Sequence, residues 1–91
     1  MIRAEPLATT PGTPQVILYS KPGCHLCEEA RDEIESVRSR QFDLTEINIV
    51  SDLSLYDLYK NDIPVIFING REAFRHRLTA SDFLRALSEA R

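Results

Sequence analysis

The run Val16-Ile17-Leu18-Tyr19-Ser20 is β-branched and aromatic, and Lys21-Pro22-Gly23 ends it abruptly. A short apolar run stopped by Pro-Gly reads as a buried strand. The periodicity then changes. Cys27, Ala30, Ile34 and Val37 recur at steps of 3, 4 and 3, which on a helix is one apolar stripe. Glu28, Arg31, Asp32, Glu35 and Arg38 fall on the wet side, acids early and arginines late, the order the helix dipole favours. A helix from Cys24 to Ser39 is expected. A second strand follows from Phe42 to Val50, with Phe42 and Leu44 alternating ahead of Ile47 and Ile49. Strand, helix, strand closes with a right-handed crossover and a parallel pair.

The rest of the chain builds on that unit. Ser51 or Asp52 can cap a short second helix whose Leu55, Leu58 and Tyr59 form an i, i+3, i+4 face, and Asn61-Asp62 end it. Val65 to Ile68 reads as a third strand. Asn69-Gly70 is a type I′ hairpin signal, which makes Ala73 to Arg77 the antiparallel partner. Thr79 opens the last helix with Asp82 three residues on, and Phe83, Leu84 and Leu87 supply its core face. The order β-α-β-α-β-β-α predicts an α/β domain with a mixed four-stranded sheet flanked by helices. Residues 1–14, with three prolines, a glycine and several threonines, read as a flexible leader. The folded domain is expected over residues 15–91.

Ninety-one residues suffice for one core and no more. Eleven basic against 14 acidic residues leave the chain slightly acidic, which argues against a nucleic-acid partner. Arg71, Arg75, His76 and Arg77 cluster locally and read as a solvated strand face. No apolar stretch approaches a membrane span, and the leader lacks the apolar core of a secretory signal. A cytoplasmic monomer is the expectation.

Cys24 and Cys27 are the only cysteines. As a staple, so small a ring contributes about 2 kcal/mol, against about 3 for a 15-residue loop. Thiol–disulfide exchange is the better use of such spacing at a strand-to-helix junction. Cys24 falls at the first turn, where free N–H groups and the dipole stabilise a thiolate, so it is the candidate nucleophile. Cys27 lies on the apolar stripe and is the candidate resolver. Lowering a thiol's pKa enlarges the thiolate fraction but weakens the nucleophile, so its main benefit is a better leaving group. Lys21 and protonated His25 act in that direction; Glu28 and Glu29 oppose it. His25 has a second reading, a solvent-exposed helix residue. A structural zinc ion wants four ligands, and only Cys24, Cys27, His25 and a distant His76 are present, so no metal is expected.

Three stretches, Tyr19 to Cys27, Asp62-Ile63-Pro64-Val65 and the Asn69-Gly70 turn, together resemble the thioredoxin fold and its small glutaredoxin-like branch, over about residues 15 to 91. The resemblance implies a thiol–disulfide oxidoreductase with no bound cofactor and glutathione as candidate reductant. Its partner would be a disulfide-containing protein or a glutathione mixed disulfide. It implies that Lys21 assists the thiolate and a glutathione carboxylate. It also implies a cis bond at Pro64 facing the cysteines, with the backbone of Ile63 pairing with an extended substrate. Two departures stand out: His25-Leu26 replaces the usual Pro-Tyr, and Arg77 to Asp82 contains no Gly-Gly turn. Ser81 and Asp82 could still contact an anion at the helix start; alternatively Thr79 and Asp82 simply cap it. The rival class is a non-catalytic binding module or an iron–sulfur cluster-bridging protein.

Overall fold

The computed structural model describes residues 13–38 and 40–90. The leader expected over residues 1–14 therefore lies outside the described residues up to position 12. The elements are β1 (Gln15–Ser20), α1 (His25–Glu35), β2 (Asp43–Asn48), a 3₁₀ turn (Ile49–Ser51), α2 (Leu53–Tyr59), β3 (Val65–Ile68), β4 (Arg71–Arg75) and α3 (Ala80–Glu89). Strand order across the sheet is β2-β1-β3-β4. β1 runs parallel to β2 and antiparallel to β3, and β3 runs antiparallel to β4. The mixed four-stranded α/β architecture is the expected one.

Alternation along the strands divides the core in two. On one face Val16, Leu18, Ile66 and Ile68 pack against Ala30 and Ile34 of α1 and Phe83 and Leu87 of α3. Phe42 lies just before β2 and meets Phe83 edge-on, with ring centroids 5.3 Å apart. On the other face Tyr19 stacks on Tyr59 of α2 at 4.9 Å, and Phe67 lies edge-on to Tyr19 at 5.6 Å. Asn69 and Gly70 both take positive φ, +52° and +84°, as a type I′ turn requires.

Several boundaries differ from expectation, each for a local reason. α1 ends at Glu35 rather than Ser39. Val37 and Arg38 donate to carbonyls three residues back, and the Ser36 hydroxyl donates to Glu33 O, which tightens and stops the helix; Ser39 is outside the described residues. β2 ends at Asn48, because its side chain accepts from Val50 N–H and its carbonyl from Ser51 Oγ, turning the chain into 3₁₀ form. Asp52, not Ser51, caps α2 through Ser54 N–H and Leu55 N–H. Leu58 is 64% exposed, and Tyr56 takes its place beside Leu55 and Tyr59. β4 starts at Arg71 and ends at Arg75, two residues earlier than expected, since a two-residue turn puts the partner strand directly after Gly70 and His76 leaves it at φ +76°.

Candidate active site

The Pro22-Gly23 turn, with Gly23 at φ +79°, delivers Cys24 to the N-cap of α1. Cys24 Sγ accepts the Cys27 N–H at 3.1 Å, so the sulfur does the work that Ser or Asp usually does at a helix start. Cys24 and Cys27 are joined as a disulfide, with Cα atoms 5.2 Å apart. Cys27 is fully buried, and Cys24 is half-buried. Of the two residues Cys24 is the partly exposed one and Cys27 the sealed one.

Cys27 packs with Ile49 and Ile63, with Cys24, Tyr19 and Tyr59 around them. The Ile63–Pro64 peptide is cis, as the resemblance implied. Ile63 N–H is not free for an incoming strand, because it donates to Tyr59 O at 3.1 Å. Only the Ile63 carbonyl is left for the pairing expected there.

Two clefts flank the motif, and they separate residues grouped in the sequence reading. Toward β2, a groove of about 340 Å³ is lined by Ser20, Lys21, Pro22, Arg31, Glu46 and Asn48. Glu46 accepts from the buried Ser20 hydroxyl at 2.6 Å and from Arg31 through two guanidinium nitrogens. The hydrogen bond from Arg31 holds the Glu46 carboxyl below its usual range, and the same bond raises the Arg31 pKa. On the other side, a cleft of about 100 Å³ is lined by Leu26, Glu29, Ala30, His76, Arg77, Leu78 and Thr79. Lys21 and the α3 start therefore lie on opposite flanks of the cysteines.

The His25 side chain is 93% exposed and 3.8 Å from Glu28, which fits its bland reading as a solvent-facing helix residue. Ser81 and Asp82 are exposed and line neither cleft. Asp82 N–H donates to Thr79 Oγ1 at 3.2 Å and its carboxylate sits 3.6 Å from Arg85, so capping is what these residues do. Beside them Ala80 N–H donates to Glu33 Oε1 at 2.6 Å, a bond between α3 and α1 absent from the sequence reading.

The basic cluster is not simply solvated. Arg75 bridges Glu72 and Asp62, and the His76 ring lies 3.2 Å from Asp62. Arg75 holds Glu72 below the usual carboxylate range, and the bond to Glu72 raises the Arg75 pKa in turn. His76 N–H donates to Pro64 O at 2.7 Å, so the segment after β4 is tied to the cis-proline loop. Among the described residues no three His, Cys, Asp or Glu side chains are grouped to hold a metal ion, and no helix is long and apolar enough to cross a membrane.

The chain matches the family described as Glutaredoxin-like domain (DUF836) over residues 15–88, most of its length and all of this site. It belongs to the glutaredoxin-like domain family. A glutaredoxin-like protein of Dictyostelium discoideum, the YDR286C homolog, is 33% identical over 67 residues, covering 66% of this chain and 62% of the relative. The chain thus spans less than two thirds of that relative's length. Among solved structures, XcR50 of X. campestris superposes with a TM-score of 0.71 at 27% identity, covering 84% of this chain and 99% of that one. Protein Ne2328 of Nitrosomonas europaea gives 0.69 at 27% identity, covering 81% and 91%. A malaria-parasite thioredoxin-2 gives 0.67 at 16% identity, covering 85% and 82%, a likeness of fold alone. This glutaredoxin-like domain is thioredoxin-like in architecture and carries the Cys24–Cys27 pair at the start of α1.

Proposed function

We propose that this glutaredoxin-like domain is a dithiol thiol–disulfide oxidoreductase. The observation that carries the reading is the unequal burial of the two sulfurs, with Cys24 at the helix N-cap half-exposed and Cys27 fully buried. In the reduced protein the Cys24 thiolate attacks one sulfur of a substrate disulfide. That S–S bond breaks, and the departing substrate thiolate takes a proton from solvent. Cys27, having lost its proton, then attacks Cys24 Sγ, releases the second substrate thiol and leaves the Cys24–Cys27 disulfide. Two equivalents of an external thiol return the pair to the reduced state and leave as their own disulfide. Cys24 N-capping supports the first step, because Cys27 N–H already points at that sulfur. The apolar packing of Cys27 supports the second, because no outside thiol competes with Cys24 for it. The cytosol, where such pairs turn over against reduced thiols, is the setting this reading assigns.

Turnover of a small disulfide with dithiothreitol, followed with purified protein, tests the assignment. Cys24→Ser is expected to abolish turnover. Cys27→Ser is expected to accumulate a mixed disulfide on Cys24, visible as an added substrate mass. Normal turnover by Cys24→Ser overturns the reading. A visible absorption band after anaerobic reconstitution with iron and sulfide, with no turnover, transfers the pair to cluster binding instead.

A further inference from the structure

At the end of β4, Arg75 and His76 reach back to the same loop. Arg75 Nη1 lies 2.7 Å from Asp62 Oδ2 and the His76 ring Nε2 lies 3.2 Å from Asp62 Oδ1, so the loop between α2 and β3 is held through both oxygens of one carboxylate. His76 N–H also donates to Pro64 O at 2.7 Å. Between those two anchors sits Ile63, which is buried and packs on the fully buried Cys27. The same histidine faces the motif. With Leu26, one of the two residues between the cysteines, it lines a cleft of only about 100 Å³. His76 thus holds the segment that packs on Cys27 and shares a cleft with the motif itself.

The backbone shows which part of His76 matters. At φ +76° it lies in the left-handed region, where a Cβ is penalised and glycine is not. The bond to Pro64 O is a main-chain bond that glycine makes equally well. What histidine adds is the ring, and the ring goes to Asp62 while about half of the side chain stays exposed beside the cleft. A side chain carried in a strained conformation next to a reactive pair points to service of the site more than of the fold.

We propose that His76 is a positioning residue whose ring, by holding Asp62, sets the Ile63–Pro64 segment at the place beside the motif that an extended disulfide substrate needs. It does not touch the reacting sulfurs; it acts through Asp62 and Ile63. A substrate that is little more than the disulfide gains nothing from this hold, whereas one with peptide chain on both sides of its half-cystine lies along the held segment. The favoured substrate class is therefore a disulfide within an extended peptide segment. This inference rests on the oxidoreductase reading above and assigns a further residue to the same site.

Turnover of the full chain with dithiothreitol is compared on two uncharged substrates, hydroxyethyl disulfide and a disulfide-linked dimer of a short peptide. Both are followed as formation of oxidised dithiothreitol, with the uncatalysed rate subtracted. His76→Gly is expected to raise KM for the peptide dimer about three- to tenfold, the worth of one ordinary hydrogen bond, and to leave its kcat and the small-disulfide rate within about twofold. Its urea midpoint should stay within about half a molar of wild type, because release of the left-handed strain offsets the lost ring contact. His76→Gln, whose amide nitrogen reaches about as far as Nε2 and can donate to Asp62, should return the peptide KM to within about twofold of wild type. An unchanged peptide KM in His76→Gly overturns the proposal while the oxidoreductase reading stands. So does an equal loss on both substrates with a fall in the urea midpoint, which is what a merely structural residue gives, and so does a His76→Gln protein no better than His76→Gly. Absence of Cys24-dependent turnover on either substrate removes the reading and this proposal together.

Discussion

Glu46→Ala should cost this small domain a substantial share of its stability, although Glu46 is a surface residue by composition. Its carboxylate is the partner of the Ser20 hydroxyl at 2.6 Å, and Ser20 is only 3% exposed. Removing the acceptor leaves a buried hydroxyl unsatisfied, which costs about 1–3 kcal/mol. The Arg31 contact is partly screened, with side chains 38% and 32% exposed, and adds about 0.2–1 kcal/mol. The sum is about 2 kcal/mol, or roughly 10 °C in Tm for a domain of this size. Ser20→Ala alone should cost about 1 kcal/mol. In the Glu46→Ala background it should cost nothing, because it removes the orphaned group. Urea unfolding of the four proteins at pH 7 closes the cycle. The pH dependence has a definite sign. Since Arg31 holds Glu46 below the ordinary carboxylate range in the folded state, its contribution is full above the unfolded pKa. It is lost as pH falls through the lower folded value, so wild type and Glu46→Ala should converge in acid. Equal penalties for Ser20→Ala in both backgrounds, or a Glu46→Ala penalty unchanged in acid, would refute the reasoning.

Phe83→Ala, at a fully buried side chain that meets Phe42 edge-on, should cost about 3–5 kcal/mol by denaturant unfolding and leave little folded protein at 37 °C. Gly70→Ala should lose about 1 kcal/mol in the same assay. Nothing lies within 4 Å of the added methyl, so the whole cost comes from φ +84°, and Gly70→Asn should recover part of it.

What was legible in the sequence is what a residue's own neighbours dictate. The apolar runs and helical stripe located β1, β3, α1 and α3. Asn69-Gly70 located the hairpin, and Thr79 located the α3 cap. The strand-to-helix junction put Cys24 at the first turn, where the structure makes it the N-cap, and periodicity put Cys27 in the core. Errors arose where short polar side chains competed with the main chain. Ser36 ends α1 early, and Asn48 with Ser51 converts the end of β2 into a 3₁₀ turn. The α2 face was misassigned at Leu58 because a seven-residue helix rotates through few core positions. Tyr19 on β1 selects Tyr59 by stacking, and Tyr56 joins it.

The site's supporting contacts were illegible for a different reason. Arg31 read as one more charge on the wet side of α1, and Glu46 as one polar residue in an alternating strand. Their meeting depends on which strand neighbours β1 and in what register. Pairing of Glu46 with Leu18 sends the Glu46 side chain out on the face that α1 covers, within reach of Arg31. Glu33, two residues from Arg31, points away from it around the helix and reaches Ala80 on α3 instead. The helix that carries both sulfurs is thus held from below by Ala30 and Ile34 and from its two sides by ion-assisted bonds to β2 and α3. Apolar burial alone would leave α1 free to slide along its stripe, whereas two directional bonds on opposite flanks fix where Cys24 sits relative to the cis-proline loop. The charges that periodicity assigns to solvent are the ones that aim the helix.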